Sequence, residues 1–242
     1  MRRCFFYIWI FTGENDKVYL SVVIPVFNEE KTIREVLDEH ILRLKDLSQW
    51  EILCLDDAST DGTWGLLEKY ASRQQRLRLL RHETNQGISP SFQRLFKEAR
   101  GDYIYATAGD GQWPAENLTR LLKSREETQA DLVVGVRQGR QKVYGVGRKI
   151  LSYGFNFLSK TFLRLDVEDV NGIKLGRKDI FTAPVRSRSF FSEVERLAAA
   201  KKRGCRIVSA PVIFLPRLHG KPKGARWGNI FFTLSDFIRF LK

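Results

Sequence analysis

The stretch Tyr19-Leu20-Ser21-Val22-Val23-Ile24-Pro25 is an almost uninterrupted apolar run that is rich in β-branched residues. Such a run is typical of a strand that is buried on both faces of a sheet. The segment that follows, Lys31 to Leu44, has apolar residues at the spacing of one helical face. A strand followed closely by a helix is the first half of a crossover unit, so this region predicts an α/β fold.

The same alternation continues through the first 136 residues. Further strands are predicted at Glu51–Leu55, Leu77–Leu80, Asp102–Ala106 and Asp131–Gly135. Helices are predicted at Thr63–Ala71, at Ser91–Ala99 and from Pro114 onwards. Strands that alternate with helices of this length predict a mostly parallel sheet flanked by helices, with right-handed connections.

The composition is that of an ordinary globular protein and excludes several classes. Of the 242 residues, 43% are hydrophobic and 29% are charged, which excludes a disordered or collagen-like chain. The three cysteines lie far apart, so neither a zinc knuckle nor a thioredoxin-like site is predicted. Only three histidines occur, which argues against a histidine-rich metal centre.

The net charge of +13 is unevenly distributed along the chain. Residues 1–136 have a balance of −3, whereas residues 137–242 have a balance of +16. A basic half favours an anionic partner such as anionic lipid or a phosphorylated ligand, and a solvated face without a partner is the alternative. Nucleic acid is not expected, because aromatic residues do not interleave with the basic ones.

The two ends of the chain have apolar segments of different kinds. The longest apolar run, Phe5 to Phe11, is far shorter than the ~20 residues that a membrane span needs, so residues 1–18 are predicted to be an N-terminal arm. From Trp227 to Leu241 the apolar residues recur at helical spacing after a basic flank. This pattern predicts an amphipathic helix over residues 226–242 at a membrane surface, and a helix that packs on the core is the alternative.

Polar or acidic clusters follow each of the five predicted strands. They are Pro25–Glu30, Asp56–Gly62, Asn85–Gly87, Gly109–Gln112 and Arg137. Ligands of open α/β sheets bind beyond the carboxyl ends of the strands, so these clusters predict one binding edge. The glycine patterns of dinucleotide and P-loop sites are absent from the sequence, and carboxylates with a divalent cation are the other common way to hold phosphate.

Four segments resemble, in order and spacing, the GT-A glycosyltransferases of family 2. They are Val23-Ile24-Pro25-Val26-Phe27-Asn28-Glu29, Leu55-Asp56-Asp57-Ala58-Ser59-Thr60-Asp61-Gly62-Thr63, Gly101-Asp102-Tyr103-Ile104 and Asp110-Gly111-Gln112. Within that family the sequence is similar to polyprenyl-phosphate glycosyltransferases of the dolichyl-phosphate mannose synthase type. The resemblance implies a GT-A (Rossmann-like) catalytic domain over residues 19–225, with a nucleotide-sugar half at 19–136 and a basic acceptor half at 137–225.

The resemblance also implies a donor site in the first half. Asp57 is expected to accept a hydrogen bond from the nucleotide base, because carboxylates accept from an imide N–H. Pro25, Phe27 and Glu29 are expected to hold base and ribose. Gly87 is expected in the nucleotide site, either for close backbone approach or simply for a turn that needs positive φ.

A divalent metal site is the next implication of the resemblance. Asp110 and Gln112 are the candidate ligands for Mg²⁺ or Mn²⁺, which would neutralise the charge of the leaving diphosphate. The family commonly carries Asp-x-Asp here, but this chain has Ala108-Gly109-Asp110, so the first carboxylate is missing. That departure makes a catalytically inactive nucleotide- or lipid-binding module an alternative.

The basic half is expected to bind the phosphate of the acceptor. The candidate ligands implied by the resemblance are Arg137, Arg148, Ser152, Arg217 and Lys223. With 23 basic residues and 7 acidic ones after residue 136, acids are expected to be too scarce to pair them. Arg137 is also expected, with Asp110, to act in catalysis.

The resulting hypothesis is an inverting hexosyltransferase. It moves a sugar from a UDP- or GDP-sugar to a polyprenyl (dolichyl or undecaprenyl) phosphate, peripherally at the cytoplasmic face of a membrane. A membrane-anchoring partner subunit and a truncated chain are further alternatives. If the acceptor is a glycan hydroxyl instead, a carboxylate base is required. The candidates for that base are Asp169, Glu193 and Glu195.

Overall fold

The computed structural model describes residues 20–138, 167–187 and 189–217, segment 235–240, and positions 153, 154, 156, 159, 161 and 233. Its strands are β1 (Leu20–Val26), β2 (Trp50–Asp56), β3 (Leu77–Arg81), β4 (Tyr103–Ala106), β5 (Leu132–Gln138), β6 (Lys174–Arg177) and β7 (Ile207–Ile213). Its principal helices are α1 (Ile33–Leu44), α2 (Thr63–Ala71), α3 (Ile88–Glu98), α4 (Glu116–Thr128), α5 (Lys178–Phe181) and α6 (Phe191–Lys202).

The seven strands form one sheet in the order β3-β2-β1-β4-β6-β5-β7. Strands β1 to β4 pair in parallel, and β5 pairs in parallel with β7. Strand β6 lies between β4 and β5 and is antiparallel to both. The predicted α/β architecture with a mostly parallel sheet is therefore confirmed, and each of the five predicted strands is present.

Two strands were not predicted: β6 is short and largely polar, and the apolar residues of β7 are interrupted by Ser209 and Pro211. Strand β6 has only four residues, among them Lys174 and Arg177. Strand β7 contains Pro211, which has no backbone N–H and so cannot donate a hydrogen bond to a neighbouring strand. Among the described strands β7 lies at the edge of the sheet, beside β5, and a proline is tolerated in an edge strand.

The first strand is buried over its whole length, as the sequence predicts. Val22 and Ile24 contribute to an apolar cluster that includes residues of α1 and α4. Val23 belongs to a second cluster, which includes residues of α3 and α6. Because successive side chains of a strand point to opposite faces, these two clusters are the two layers of core on either side of the sheet.

The C-terminal segment 235–240 is helical and has one buried aromatic residue. Phe237 is 5% exposed, and its ring centroid lies 5.5 Å from that of Phe191. Ile238 and Phe240 are 50% and 39% exposed. No helix among the described residues is long and apolar enough to cross a membrane. The predicted N-terminal arm, residues 1–18, lies outside the described residues.

Candidate active site

The loops that follow β1 and β2 are locked together at the carboxyl edge of the sheet. Asn28 adopts φ 56°, and its side-chain oxygen accepts a hydrogen bond of 2.8 Å from the backbone of Thr60. The backbone N–H of Asn28 donates to Ser59 Oγ at 2.9 Å, and that of Glu29 donates to Thr63 Oγ1 at 2.9 Å. The two loops therefore form one preorganised wall beside the strand ends.

Asp57 is buried at the end of β2 and accepts three hydrogen bonds. The backbone N–H groups of Gln86 and Gly87 donate to Oδ1 and Oδ2, each at 2.8 Å. His82 Nδ1 lies 2.7 Å from Oδ1. The loop after β3 is thus wrapped around the Asp57 carboxylate, and Gly87 is brought into direct contact with it.

Gly87 has a φ of +88° directly before α3 begins. A Cβ at this position would meet nothing within 4 Å, so the glycine is required by backbone conformation and not by crowding. Of the other predicted donor-site residues, Pro25 is buried in β1 and Phe27 is half-buried just after it. Strand β1 pairs with β4 only as far as Val23, so Pro25 lies beyond the stretch that is bonded on both sides.

Three predicted site residues from different elements meet at one point. Arg217 Nη2 forms an ion pair with Glu29, and Arg217 Nη1 lies 3.9 Å from Asp110 Oδ2. Burial lowers the pKa of the Arg217 guanidinium. Thr32 Oγ1 donates to the backbone oxygen of Gly109 at 2.9 Å, which joins the loop after β1 to the loop after β4.

Gln112 connects this point to the end of β7. Its backbone oxygen accepts from Leu215 N at 3.0 Å, and its Nε2 donates to Leu215 O at 3.0 Å. The segment that carries Arg217 is therefore held in place by one of the predicted metal ligands. Because the amide nitrogen of Gln112 is engaged, its amide oxygen is the atom that would bind a metal.

The residues at this point fit a hard divalent cation. Mg²⁺ is held in proteins by one or two carboxylates together with substrate phosphates and water. Asp110 supplies one carboxylate, which is partly exposed, and Gln112 supplies an amide oxygen two residues away. Among the described residues no group of three or more histidine, cysteine or acidic side chains is placed to hold a metal. The protein donor set is therefore sparse, and a cation held here would need further oxygen ligands such as phosphate or water.

Arg137 forms a buried ion pair at the end of β5. Its Nε and Nη2 each lie 2.6 Å from the oxygens of Asp169, and both side chains are almost entirely buried. The guanidinium carbon also lies 5.5 Å from the ring centroid of Phe214. The expectation that acids are too scarce to pair the basic half is therefore wrong for Arg137 and also for Arg217, because each has a carboxylate partner.

The other two candidate base residues are engaged in similar ways. Glu193 lies 3.1 Å from Lys174 and 2.6 Å from Arg196. Burial raises its pKa, but the two cations more than offset this, and the net shift is downward. Glu195 accepts hydrogen bonds of 2.9 and 3.0 Å from the backbone N–H groups of Arg186 and Ser187.

Some of the predicted site residues contact one another, and residues that were not predicted contact them as well. Asp57 meets Gly87, and Glu29 meets Arg217 close to Asp110, whereas Arg148, Ser152 and Lys223 lie outside the described residues. The sequence interpretation missed the contacts of Thr32, His82 and Phe214. A signal existed for His82, which follows the third predicted strand by two residues, just ahead of the Asn85–Gly87 cluster that was noted.

The mostly parallel sheet flanked by helices is that of an α/β protein, and the chain belongs to glycosyl transferase family 2. The model of that family, described as Glycosyl transferase family 2, matches residues 21–183. The resemblance drawn from the four motifs is thereby confirmed.

Its relatives include three transferases whose names refer to polyprenyl phosphates. The chain is 28% identical to the dodecaprenyl-phosphate galacturonate synthase of Rhizobium johnstonii, over 87% of this chain and 64% of that protein. It is 27% identical to the undecaprenyl-phosphate mannosyltransferase of Micrococcus luteus, over 83% and 85%. It is also 27% identical to the dolichol-phosphate mannosyltransferase of Pyrococcus furiosus, over 92% and 64%. The chain thus spans a little under two thirds of two of these relatives.

Solved structures of glucosyl-3-phosphoglycerate synthase from Mycobacterium tuberculosis share the fold. One, in complex with Mn²⁺, UDP-glucose and phosphoglyceric acid, has a TM-score of 0.75 at 16% identity, over 100% of this chain and 86% of that chain. Another, with Mg²⁺ and UDP, has a TM-score of 0.71 at 17% identity, over 99% and 85%. The expected GT-A-like fold is therefore confirmed.

Proposed function

We propose that the chain is an inverting glycosyltransferase that moves a sugar from a UDP- or GDP-sugar to a polyprenyl phosphate. We place it peripherally at the cytoplasmic face of a membrane, with Mg²⁺ or Mn²⁺ as its cofactor. The names of the relatives support a lipid phosphate as acceptor. The Mn²⁺, Mg²⁺ and UDP complexes of the structural neighbours support a metal-assisted nucleotide-sugar donor.

The acceptor is inferred to be a phosphate from the contacts of the three candidate base residues. Asp169, Glu193 and Glu195 are each held by cations or backbone N–H groups in the interior. A glycan hydroxyl needs a carboxylate as general base, and these three are the candidates that the sequence offers. A phosphate monoester is already an anionic nucleophile at neutral pH, so it needs positioning and charge shielding, and not a base.

In the proposed reaction, an acceptor phosphate oxygen forms a bond to the anomeric carbon as the bond from that carbon to the diphosphate breaks. The nucleoside diphosphate leaves from the opposite face, so the configuration inverts. Asp57 accepts from the base, and Pro25, Phe27, Glu29 and Gly87 line the nucleotide.

The acceptor phosphate is assigned to basic and hydroxyl side chains of the second half. They are Arg137, Arg148, Ser152, Arg217 and Lys223. Arg217 lies beside Glu29 and Asp110. Its positive charge would shield the acceptor phosphate from the like charge of the donor diphosphate. Asp110 and Gln112 would hold the divalent ion, which neutralises charge on the leaving diphosphate when it is bound.

A transfer assay tests this function. The purified chain is incubated with Mn²⁺ or Mg²⁺, undecaprenyl phosphate and radiolabelled UDP- or GDP-sugars, and the lipid is extracted into organic solvent. We expect label in the organic phase with undecaprenyl phosphate and none with undecaprenol, which lacks the phosphate. Asp110→Asn should abolish the label, because it removes the one carboxylate of the proposed metal site.

The matched control is Asp102→Asn, which removes an exposed carboxylate just before β4. It should retain full transfer. Label on a glycan acceptor but not on the lipid phosphate would contradict the proposed acceptor. Nucleotide binding without transfer from any donor would favour an inactive binding module.

A further inference from the structure

We infer that His82 is a positioning residue for recognition of the donor base, because it helps to hold the Asp57 carboxylate in its binding orientation. The inference rests on the proposed function and deepens it. The sequence alone predicts no role for His82.

The Asp57 carboxylate has three of its acceptor positions filled by the protein. Oδ1 accepts from Gln86 N at 2.8 Å and lies 2.7 Å from His82 Nδ1, whereas Oδ2 accepts from Gly87 N at 2.8 Å. Each carboxylate oxygen has two acceptor positions. No further donor from the described part of the chain reaches Oδ2, so one of its positions remains for the N–H of a bound base.

The imidazole is itself well held. Its side chain is 11% exposed, and the backbone N–H of His82 donates to Asp56 O at 2.9 Å. Asn85 Nδ2 also donates to the backbone oxygen of Asp57, at 3.1 Å. His82 is thus a rigid donor to Oδ1, whereas the open acceptor position is on Oδ2. Its hydrogen bond helps to fix the plane of the carboxylate.

The role of His82 bears on one hydrogen bond of the ligand, the bond from the base to Asp57. If His82 orients Asp57 toward the imide of the base, its loss weakens ligands that have the imide N–H. Ligands in which a methyl group replaces that hydrogen have already lost the contact, so they should be indifferent to His82. A merely structural role in the loop would weaken both kinds of ligand alike.

The test uses the full chain, isothermal titration calorimetry, and UDP with its N3-methyl derivative or GDP with its N1-methyl derivative. His82→Leu removes the donor, and His82→Asn restores an amide N–H near the position of Nδ1. We expect the Kd for the unmodified nucleotide to rise about tenfold in His82→Leu and to return within about threefold of wild type in His82→Asn. The Kd for the methylated nucleotide should stay unchanged.

The kinetic signature should agree with the binding data. In the transfer assay, His82→Leu should raise the donor KM with little change in kcat, since the base is remote from the reacting carbon. Glu83→Gln, at the exposed neighbouring position, is the matched control and should leave both constants unchanged.

Equal weakening of both nucleotides, or no weakening of either, overturns the inference. Asp57→Asn separates this failure from a failure of the donor site. If Asp57→Asn abolishes discrimination between the two nucleotides but His82→Leu does not, only the role of His82 is wrong. If Asp57→Asn has no effect, the proposed base contact is wrong and the inference is overturned with it. Because the titration needs no acceptor lipid, either result is independent of whether transfer to polyprenyl phosphate occurs.

Discussion

At the scale of single residues, the pair of Arg137 and Asp169 has the strongest consequences. The resemblance to the family implies a role for Arg137 in acceptor binding and catalysis, and Asp169 is a candidate base if the acceptor is a glycan hydroxyl. The sequence could not show that the two meet, because they are 32 residues apart and belong to different elements. Their ion pair is buried, and a buried charge that loses its partner is strongly destabilising.

We therefore expect Arg137→Met to lower the free energy of unfolding by about 3–5 kcal/mol, since it leaves the Asp169 carboxylate buried without its cation. The double variant Arg137→Met/Asp169→Leu should recover at least half of that loss, because no buried charge remains. Urea denaturation of wild type, both single variants and the double variant measures the coupling. A coupling near zero would contradict the prediction.

Two glycines, Gly172 and Gly65, differ in how much room they leave for a side chain, so alanine at each should change stability in opposite directions. A Cβ on Gly172 would lie 1.8 Å from the backbone oxygen of Gly135 in β5, whereas a Cβ on Gly65 in α2 would meet nothing within 4 Å. Gly172→Ala should cost about 3 kcal/mol or more, because the loop that carries Asp169 has to move away from the strand. Gly65→Ala should stabilise the fold by about 0.5–1 kcal/mol, since alanine favours the helix. Thermal and urea unfolding of the two variants checks both signs.

Among the helices, α1 has an apolar face that the sequence predicts and a buried histidine that it does not predict. Its apolar face was predicted correctly, and the helix ends at Leu44 as expected. His40 was counted only as one of three histidines. It is completely buried, its Nδ1 lies 2.7 Å from Val36 O, and its Nε2 has no hydrogen-bond partner in the described part of the chain.

Burial lowers the pKa of His40 below its ordinary value of 6.5, and this outweighs the opposing effects of Val36 and Glu39. The unfolded chain therefore binds a proton at His40 more readily than the folded one. The stability from the neutral ring is fully present above pH 6.5 and is lost as the pH falls toward the lower folded pKa.

We expect the free energy of unfolding to fall between pH 7.5 and 5.5 by about 1 kcal/mol more in wild type than in His40→Leu. Urea unfolding of both proteins at the two pH values measures this difference. The other histidines and the carboxylates are common to both proteins, so the comparison isolates His40. Equal pH dependence in the two proteins would sink the prediction.

The composition of each strand explains whether the sequence could predict it. Strand β1 was recognisable because its apolar side chains are buried on both faces, and each polar cluster after β1 to β5 was found from its position. Strand β6 was missed because a four-residue strand with Lys174 and Arg177 carries no apolar pattern, and β7 was missed because Ser209 and Pro211 interrupt its apolar residues. The pairing of Asp57 with the loop of Gly87 depends on the sheet order, which the periodicity of a single sequence does not encode.

At the scale of the whole molecule, charge and exposed apolar side chains suggest a test of membrane association. The basic half has a balance of +16, and Ile238 and Phe240 are exposed on the C-terminal helical segment. Anionic surfaces attract such a half, and exposed apolar side chains add burial in the interface.

We expect the chain to sediment with vesicles that contain anionic lipid and less with neutral ones, and the bound fraction should fall as salt is raised. The double variant Ile238→Ser/Phe240→Ser should bind several-fold more weakly. Leu42→Ser, which changes a side chain that is 58% exposed on α1, is the control and should bind like wild type. Salt-independent binding, or equal loss in the control, would contradict the prediction.

The place of β6 between β4 and β5 also has a consequence for how each new molecule is made. Among the described strands, β5 pairs with β6 and β7, and both come later in the chain. At a synthesis rate of about 5–20 residues per second, the roughly forty residues from the end of β5 to the end of β6 take about 2–8 s to appear. For those seconds an apolar strand leaves the ribosome with both edges open, and such edges can pair with other nascent chains. The yield of soluble protein should therefore depend on how quickly the ribosome crosses residues 139–177.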